Sequence, residues 1–138
     1  MSKYRAIPTT IDGIRFASRA ESHRYQELKL LIKAGQITDL VLQPAFPIHV
    51  NGQKICVYRS DFQYNELCDG VWTRIVEDVK SPFTKKNPVY RLKNKLLVAV
   101  HGITIREYIF GRTSSVMSKS ARHTSPLRAG VGRRIPIK

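Results

Sequence analysis

Asp61 and Asp78 are separated by sixteen residues, and Lys80 follows Asp78 by two. Ser60-Asp61 closes one strand-like run, and Asp78-Val79-Lys80 lies in the next. On neighbouring strands this spacing sets two carboxylates beside one ammonium. Hydrolysis of a phosphodiester needs a nucleophilic water and relief of charge on the scissile phosphate. Mg²⁺ supplies both when one or two carboxylates hold it and waters and phosphate oxygens complete its shell. Side chains alternate along a strand, so Lys80 points where Asp78 points. Its ammonium would orient or deprotonate the attacking water, or offset charge in the transition state. On a surface strand the same Asp-x-Lys triplet is only a cross-strand ion pair. Ile75, Val76 and Val79 instead mark a buried strand, where an Asp and a Lys need a reason to be present. Glu77 falls on the opposite face and reads as a solvent or salt-bridge residue.

Glu21 has two competing readings. It is the third residue after Ser18, which fits a capping box at a helix start. It also shares a helical face with Tyr25, Leu28 and Ile32, where a carboxylate is unusual unless paired or bound to metal. In the second role it is a third metal-binding carboxylate beside Asp61 and Asp78. Gln43 precedes Pro44 at a strand end, where it would reach a metal-bound water or a phosphate, or merely satisfy backbone groups. Lys85, Lys86 and Arg91 follow the Asp-x-Lys strand and are candidates for holding a DNA backbone, or for a solvated face.

The elements that must position these residues are legible in outline. Asp12-Gly13 is a tight-turn signal between Thr9–Ile11 and Ile14–Phe16. A helix runs from the Ser18 cap to about Lys33, with Gly35 beyond it. Strand-like runs follow at Leu40–Gln43, Phe46–Val50, Lys54–Tyr58, Tyr58–Tyr64 and Val71–Lys80. Asn51-Gly52 and Asp69-Gly70 are hairpin signals between them. Pro82–Pro88 reads as a basic loop. A second helix spans Val89–His101, Gly102 ends it, and Ile103–Ile109 is the last strand. The core order is α-β-β-β-α-β.

The chain has 138 residues and a formal net charge of +14. That length allows one domain with a modest core, and the charge argues for a polyanionic partner, nucleic acid first. Residues 111–138 carry seven basic residues, Arg112 and Arg122 among them, and no acidic one. We read 1–110 as the folded domain and 111–138 as an extended basic tail rich in Ser, Gly and Arg. No apolar run is long enough to span a membrane. The start of the chain is polar and carries no apolar signal segment, so a reducing cytosol is expected. Cys56 and Cys68 form no C-x-x-C pair, the four histidines have no zinc spacing, and both cysteines read as apolar fillers in strands. The charge alone is also compatible with a non-catalytic nucleic-acid-binding protein or a structural component that binds nucleic acid.

Taken together, Glu21, Asp61, Asp78 and Lys80 resemble the motif of the PD-(D/E)xK nuclease superfamily, over roughly residues 10–110. Ser60 stands where the superfamily motif has Pro. The ordered runs Thr9–Phe16, Glu21–Leu31, Leu40–Phe46, Ser60–Tyr64, Val76–Lys80 and Pro88–Lys95 look like a family of small phage-encoded proteins similar to RecU-type Holliday junction resolvases. The resemblance implies an α/β, restriction-endonuclease-like fold with a mixed sheet flanked by helices. It also implies a Mg²⁺- or Mn²⁺-dependent DNA endonuclease acting on branched DNA. Asp61, Asp78 and Glu21 would be its metal residues and Lys80 its catalytic lysine. A homodimer is implied too, since paired nicks across a four-way junction need two active sites, and so is the bacterial host cytosol as its location.

Overall fold

The computed structural model describes residues 6–81 and 84–110, with Lys85 as backbone only. It is a mixed α/β fold made mostly of strands, with one mixed four-stranded sheet and two helices. The expected tail, with Arg112 and Arg122, lies outside the described residues.

Three hairpins arise from three two-residue turns. Asp12-Gly13 joins β1 (Thr9–Ile11) to β2 (Ile14–Phe16). Asn51-Gly52 joins β4 (Ala45–Val50) to β5 (Gln53–Arg59). Asp69-Gly70 joins β6 (Phe62–Cys68) to β7 (Val71–Lys80). Both central residues of every turn have positive φ, as in Asn51 at 51° and Gly52 at 77°. A turn of that hand matches the twist of the flanking strands, and Asn, Asp and Gly tolerate it best.

Helix α1 (Arg19–Lys33) starts at Ser18, whose hydroxyl accepts the Glu21 N–H at 3.2 Å. That bond satisfies one of the amides a helix start leaves unpaired. Tyr25 and Leu28 turn inward as their spacing predicts, but Ile32 is exposed. Strand β3 (Ile37–Leu42) carries a bulge between Thr38 and Val41, with Asp39 at φ 56°. The expected loop before α2 holds one short 3-10 turn, Thr84–Lys86. Helix α2 (Pro88–His101) is capped by Asn87, has Pro at its start, and ends at Gly102 in the left-handed conformation. The last strand, β8 (Arg106–Ile109), is shorter than expected, because Ile103 and Ile105 are spent on core packing before it begins.

The main sheet has the order β3-β6-β7-β8. The first two pairings are antiparallel, while β7 and β8 run parallel with α2 as the crossover. One face carries Phe16, Tyr25, Leu28, Ile37, Phe62 and Tyr64, joined by Ile75 and Val79. The other carries Phe46, Ile48, Tyr58, Val76 and Leu97, joined by Tyr90, Ile103 and Ile105. Strand β7 is therefore covered on both sides. Val76, Glu77 and Asp78 are all buried in succession, at 3%, 0% and 2% exposure.

Two expectations are corrected here. Glu77 is not a solvent residue: its carboxylate accepts from Arg24 Nε at 2.7 Å, from Arg24 Nη2 at 2.9 Å and from the Tyr64 hydroxyl at 2.7 Å. It is a salt-bridge residue, as the alternative reading had it, but a fully buried one. Cys68 is exposed at the end of β6 rather than a core filler, whereas Cys56 is half-buried against the second core. Among the described residues no helix is long and apolar enough to cross a membrane.

Candidate active site

Tyr58–Tyr64 reads as one strand in the sequence, but the structure divides it. Strands β3 and β6 pair as far as Leu42 opposite Phe62, and β4 and β5 pair from Ala45 opposite Arg59. Between them, Gln43-Pro44 lies beside Ser60-Asp61. Gln43 N donates to Asp61 O at 2.9 Å, and Ser60 N donates to Pro44 O at 3.2 Å. Gln43 sits at φ 50°, and Pro44 has no N–H for a ladder, so regular pairing stops. The break releases the Asp61 N–H from the ladder.

That N–H donates to Asp78 Oδ1 at 3.0 Å. In return, Val79 N donates to Asp61 Oδ2 at 2.8 Å. Each aspartate thus grips the backbone at or next to the other, and the two carboxylates are held at the junction of β6 and β7. Asp78 Oδ2 accepts the hydroxyl of Tyr58, from the end of β5. Lys80 Nζ stands 3.7 Å from the same oxygen and 4.4 Å from the centre of the Tyr90 ring. Tyr90, on α2, donates its hydroxyl to Glu107 Oε1 at 3.1 Å.

The electrostatics are those of a site with surplus negative charge. Burial, then the neighbouring charges of Asp78 and Glu21, push the Asp61 carboxyl up to about 7, against the opposing Val79 hydrogen bond and Lys80. Burial and the Asp78 carboxylate hold the Tyr58 hydroxyl well above the ordinary phenol range. Burial, with Glu107 and Asp78 nearby, pushes Tyr90 up to about 12. A carboxyl kept uncharged this far above its usual range is one that a cation would ionise.

Hard oxygen donors suit Mg²⁺ or Mn²⁺, and Asp61 and Asp78 offer them side by side. Among the described residues no group of three or more His, Cys, Asp and Glu side chains is placed to hold an ion. Two carboxylates alone would leave waters and phosphate oxygens to complete the shell of such a cation, as Mg²⁺ sites commonly do.

The structure thus brings Asp61, Asp78 and Lys80 into one group. Glu21 lies in the first turn of α1, half-buried, and acts on Asp61 through its charge. Its carboxylate forms no hydrogen bond back to the helix start among the described residues, so only the Ser18 arm of the capping box exists. Gln43 is exposed and touches the site through its backbone. Lys86 and Arg91 are exposed on the 3-10 turn and the first turns of α2, and Lys85 lies on the same 3-10 turn. Tyr58 and Tyr90 were not singled out as site residues from the sequence. The one signal for Tyr58 was its place two residues before Ser60-Asp61 in an alternating run.

The raised Asp61 carboxyl has a stability consequence. Between the unfolded value of 3.8 and the folded value of about 7, the native state holds a proton that the unfolded chain does not. Native stability therefore falls as pH rises through that window and levels off above it. Asp61→Asn keeps an acceptor for the Val79 N–H and removes the charge. We expect it to raise the melting temperature of the metal-free protein little at pH 4 and distinctly at pH 8, read by thermal denaturation in EDTA.

No curated protein and no solved structure matches the chain. A family model described as a protein of unknown function, DUF1064, matches residues 1–109, which takes in all of Glu21, Asp61, Asp78 and Lys80. The chain belongs to the DUF1064 family.

Proposed function

We propose that this protein is a metal-dependent endodeoxyribonuclease that hydrolyses phosphodiester bonds in branched DNA such as Holliday junctions. The observation that carries the reading is the clasp of Asp61 and Asp78, with the Lys80 ammonium 3.7 Å from Asp78. A protein that only binds nucleic acid has no use for buried converging carboxylates, which repel phosphate. The sheet and its helices also run α1-β3-β6-β7-α2-β8 once the β4–β5 hairpin is set aside. That order supports a restriction-endonuclease-like fold of the PD-(D/E)xK kind. The net charge of +14 supports DNA as the substrate.

Asp61 and Asp78 would hold Mg²⁺ or Mn²⁺, with Glu21 adding negative charge beside Asp61. The bound cation supplies charge neutralisation at the phosphate and an activated water. Lys80 is pre-placed by its ion pair with Asp78 and by the Tyr90 ring beneath it. From there its ammonium orients or deprotonates the attacking water, or offsets charge on the phosphoryl oxygens. Gln43, Lys85, Lys86 and Arg91, with Arg112 and Arg122 of the tail, are assigned to the DNA. A homodimer would place two such sites for paired nicks. If the chain is phage-encoded, it would work in the bacterial host cytosol.

The test is cleavage of a labelled synthetic four-way junction beside linear duplex of the same sequence, with Mg²⁺, Mn²⁺ or EDTA. Metal-dependent nicking of the junction in preference to the duplex is expected. Equal cleavage of both keeps the nuclease and removes the selectivity. Tight binding without cleavage in any metal returns the protein to a non-catalytic nucleic-acid-binding or phage structural role.

A further inference from the structure

We infer that Tyr58 is a positioning residue that fixes the orientation of the Asp78 carboxylate, which would hold the divalent cation; this rests on the nuclease reading. Tyr58 is 4% exposed and Asp78 is 2% exposed, so their hydrogen bond is made away from water. The two oxygens of Asp78 are held from different directions. The Asp61 N–H takes Oδ1, and the Tyr58 hydroxyl takes Oδ2. Two such bonds fix both the rotamer and the plane of the carboxylate. Each carboxylate oxygen has a second lone pair, so the bonds orient the group without consuming it. Hydrogen-bonding partners behind a metal ligand work in this way.

The fold explains why the donor comes from β5. The β4–β5 hairpin is not part of the main sheet, but it packs over the face that carries Val76 and Asp78. Tyr58 stands opposite Phe46 in its register, one residue from the end of β5. From there its ring fills the second core while its hydroxyl reaches β7. The hairpin that interrupts the order of sheet strands thus has a task at the site.

The experiment compares wild type, Tyr58→Phe and Tyr58→Met. Mn²⁺ affinity is read directly from the electron paramagnetic resonance signal of free Mn²⁺, with cleavage measured across Mn²⁺ concentration and folding followed by thermal melting in EDTA. Phe keeps the ring and the packing; Met is a second apolar replacement should Phe fail to fold. Loss of such a partner lowers metal affinity by about 10–100-fold. The expected result is that fall in Mn²⁺ affinity for either Tyr58 variant, with cleavage recovered at saturating Mn²⁺. Wild-type Mn²⁺ affinity in a folded Tyr58 variant overturns the inference and leaves the nuclease reading standing, whatever happens to the melting temperature. A wild type that neither binds Mn²⁺ nor cleaves DNA overturns both.

Discussion

On the nuclease reading, Asp78→Ala is expected to abolish metal-dependent DNA cleavage and to leave DNA binding in place. Metal-assisted charge stabilisation contributes several kcal/mol to such a reaction. Each 1.4 kcal/mol is tenfold in rate, so a loss of about 4 kcal/mol is about a thousandfold. The Ala variant also orphans the Asp61 N–H and the Tyr58 hydroxyl, both of which now point at Asp78. Leaving two buried donors unpaired costs about 1–3 kcal/mol each, which would blur lost chemistry with lost folding. Asp78→Asn separates the two. Its amide oxygen accepts from Asp61 N, and its NH₂ donates to the Tyr58 oxygen, so both contacts are kept, with the Tyr58 O–H turned away from position 78, while the charge is gone. The Asn variant should melt close to wild type and still cleave about a thousandfold more slowly. Binding is measured in EDTA, where one carboxylate fewer repels the phosphates less, so affinity should hold or rise. Cleavage at the wild-type rate by Asp78→Asn would remove Asp78 from the chemistry.

The parts of this architecture that are local were legible in the sequence. Asp12-Gly13, Asn51-Gly52 and Asp69-Gly70 each specify a turn within two residues, and Ser18, Asn87 and Gly102 specify helix ends through contacts a few positions away. The Asp78–Lys80 pair was legible for a similar reason, since a period of two places both on one face of β7. What failed was long-range. The division at Ser60-Asp61 escapes an alternating pattern because β5 and β6 continue the same alternation on either side of it. Its cause lies at Gln43-Pro44, seventeen positions back from Ser60-Asp61, whose backbone it meets only in the fold. The burial of Glu77 was missed because alternation assigns one face of a strand to solvent. Strand β7 has no solvent face at that point: α1 covers one side, and α2 with the β4–β5 hairpin covers the other.

Burial of the β7 face beneath α1 sets a large stability effect. Arg24→Met should destabilise the fold by about 3–5 kcal/mol, because it removes the partner of a fully buried carboxylate. Arg24 is the hub of the buried polar network between α1 and β7. It donates to both oxygens of Glu77, pairs with Glu27 at 2.9 Å and lies 4.2 Å above the Tyr108 ring. Burial pulls the guanidinium down, but the bonds and charge of Glu77 outweigh it and raise it above its ordinary value. Glu77 itself has 0% exposure, so with Arg24 gone its charge keeps only the Tyr64 hydroxyl. A domain of this size has about 5–15 kcal/mol in hand, so the single variant should lie near its unfolding transition at ordinary temperature. Arg24→Met combined with Glu77→Leu should recover most of the loss, because a buried ion pair often gives little over apolar residues of similar volume. Urea denaturation of the two single variants and the double variant measures this. Additive losses in the double variant would mean that Arg24 holds the fold through Glu27 and Tyr108 rather than through Glu77. In either case the Asp61–Asp78 clasp lies outside this network, so at temperatures where the variants remain folded their metal-dependent cleavage should match wild type. The adjacent carboxylates of β7 then separate cleanly: Glu77 with Arg24 holds the sheet to α1, and Asp78 lies on the opposite face with Asp61 and Lys80.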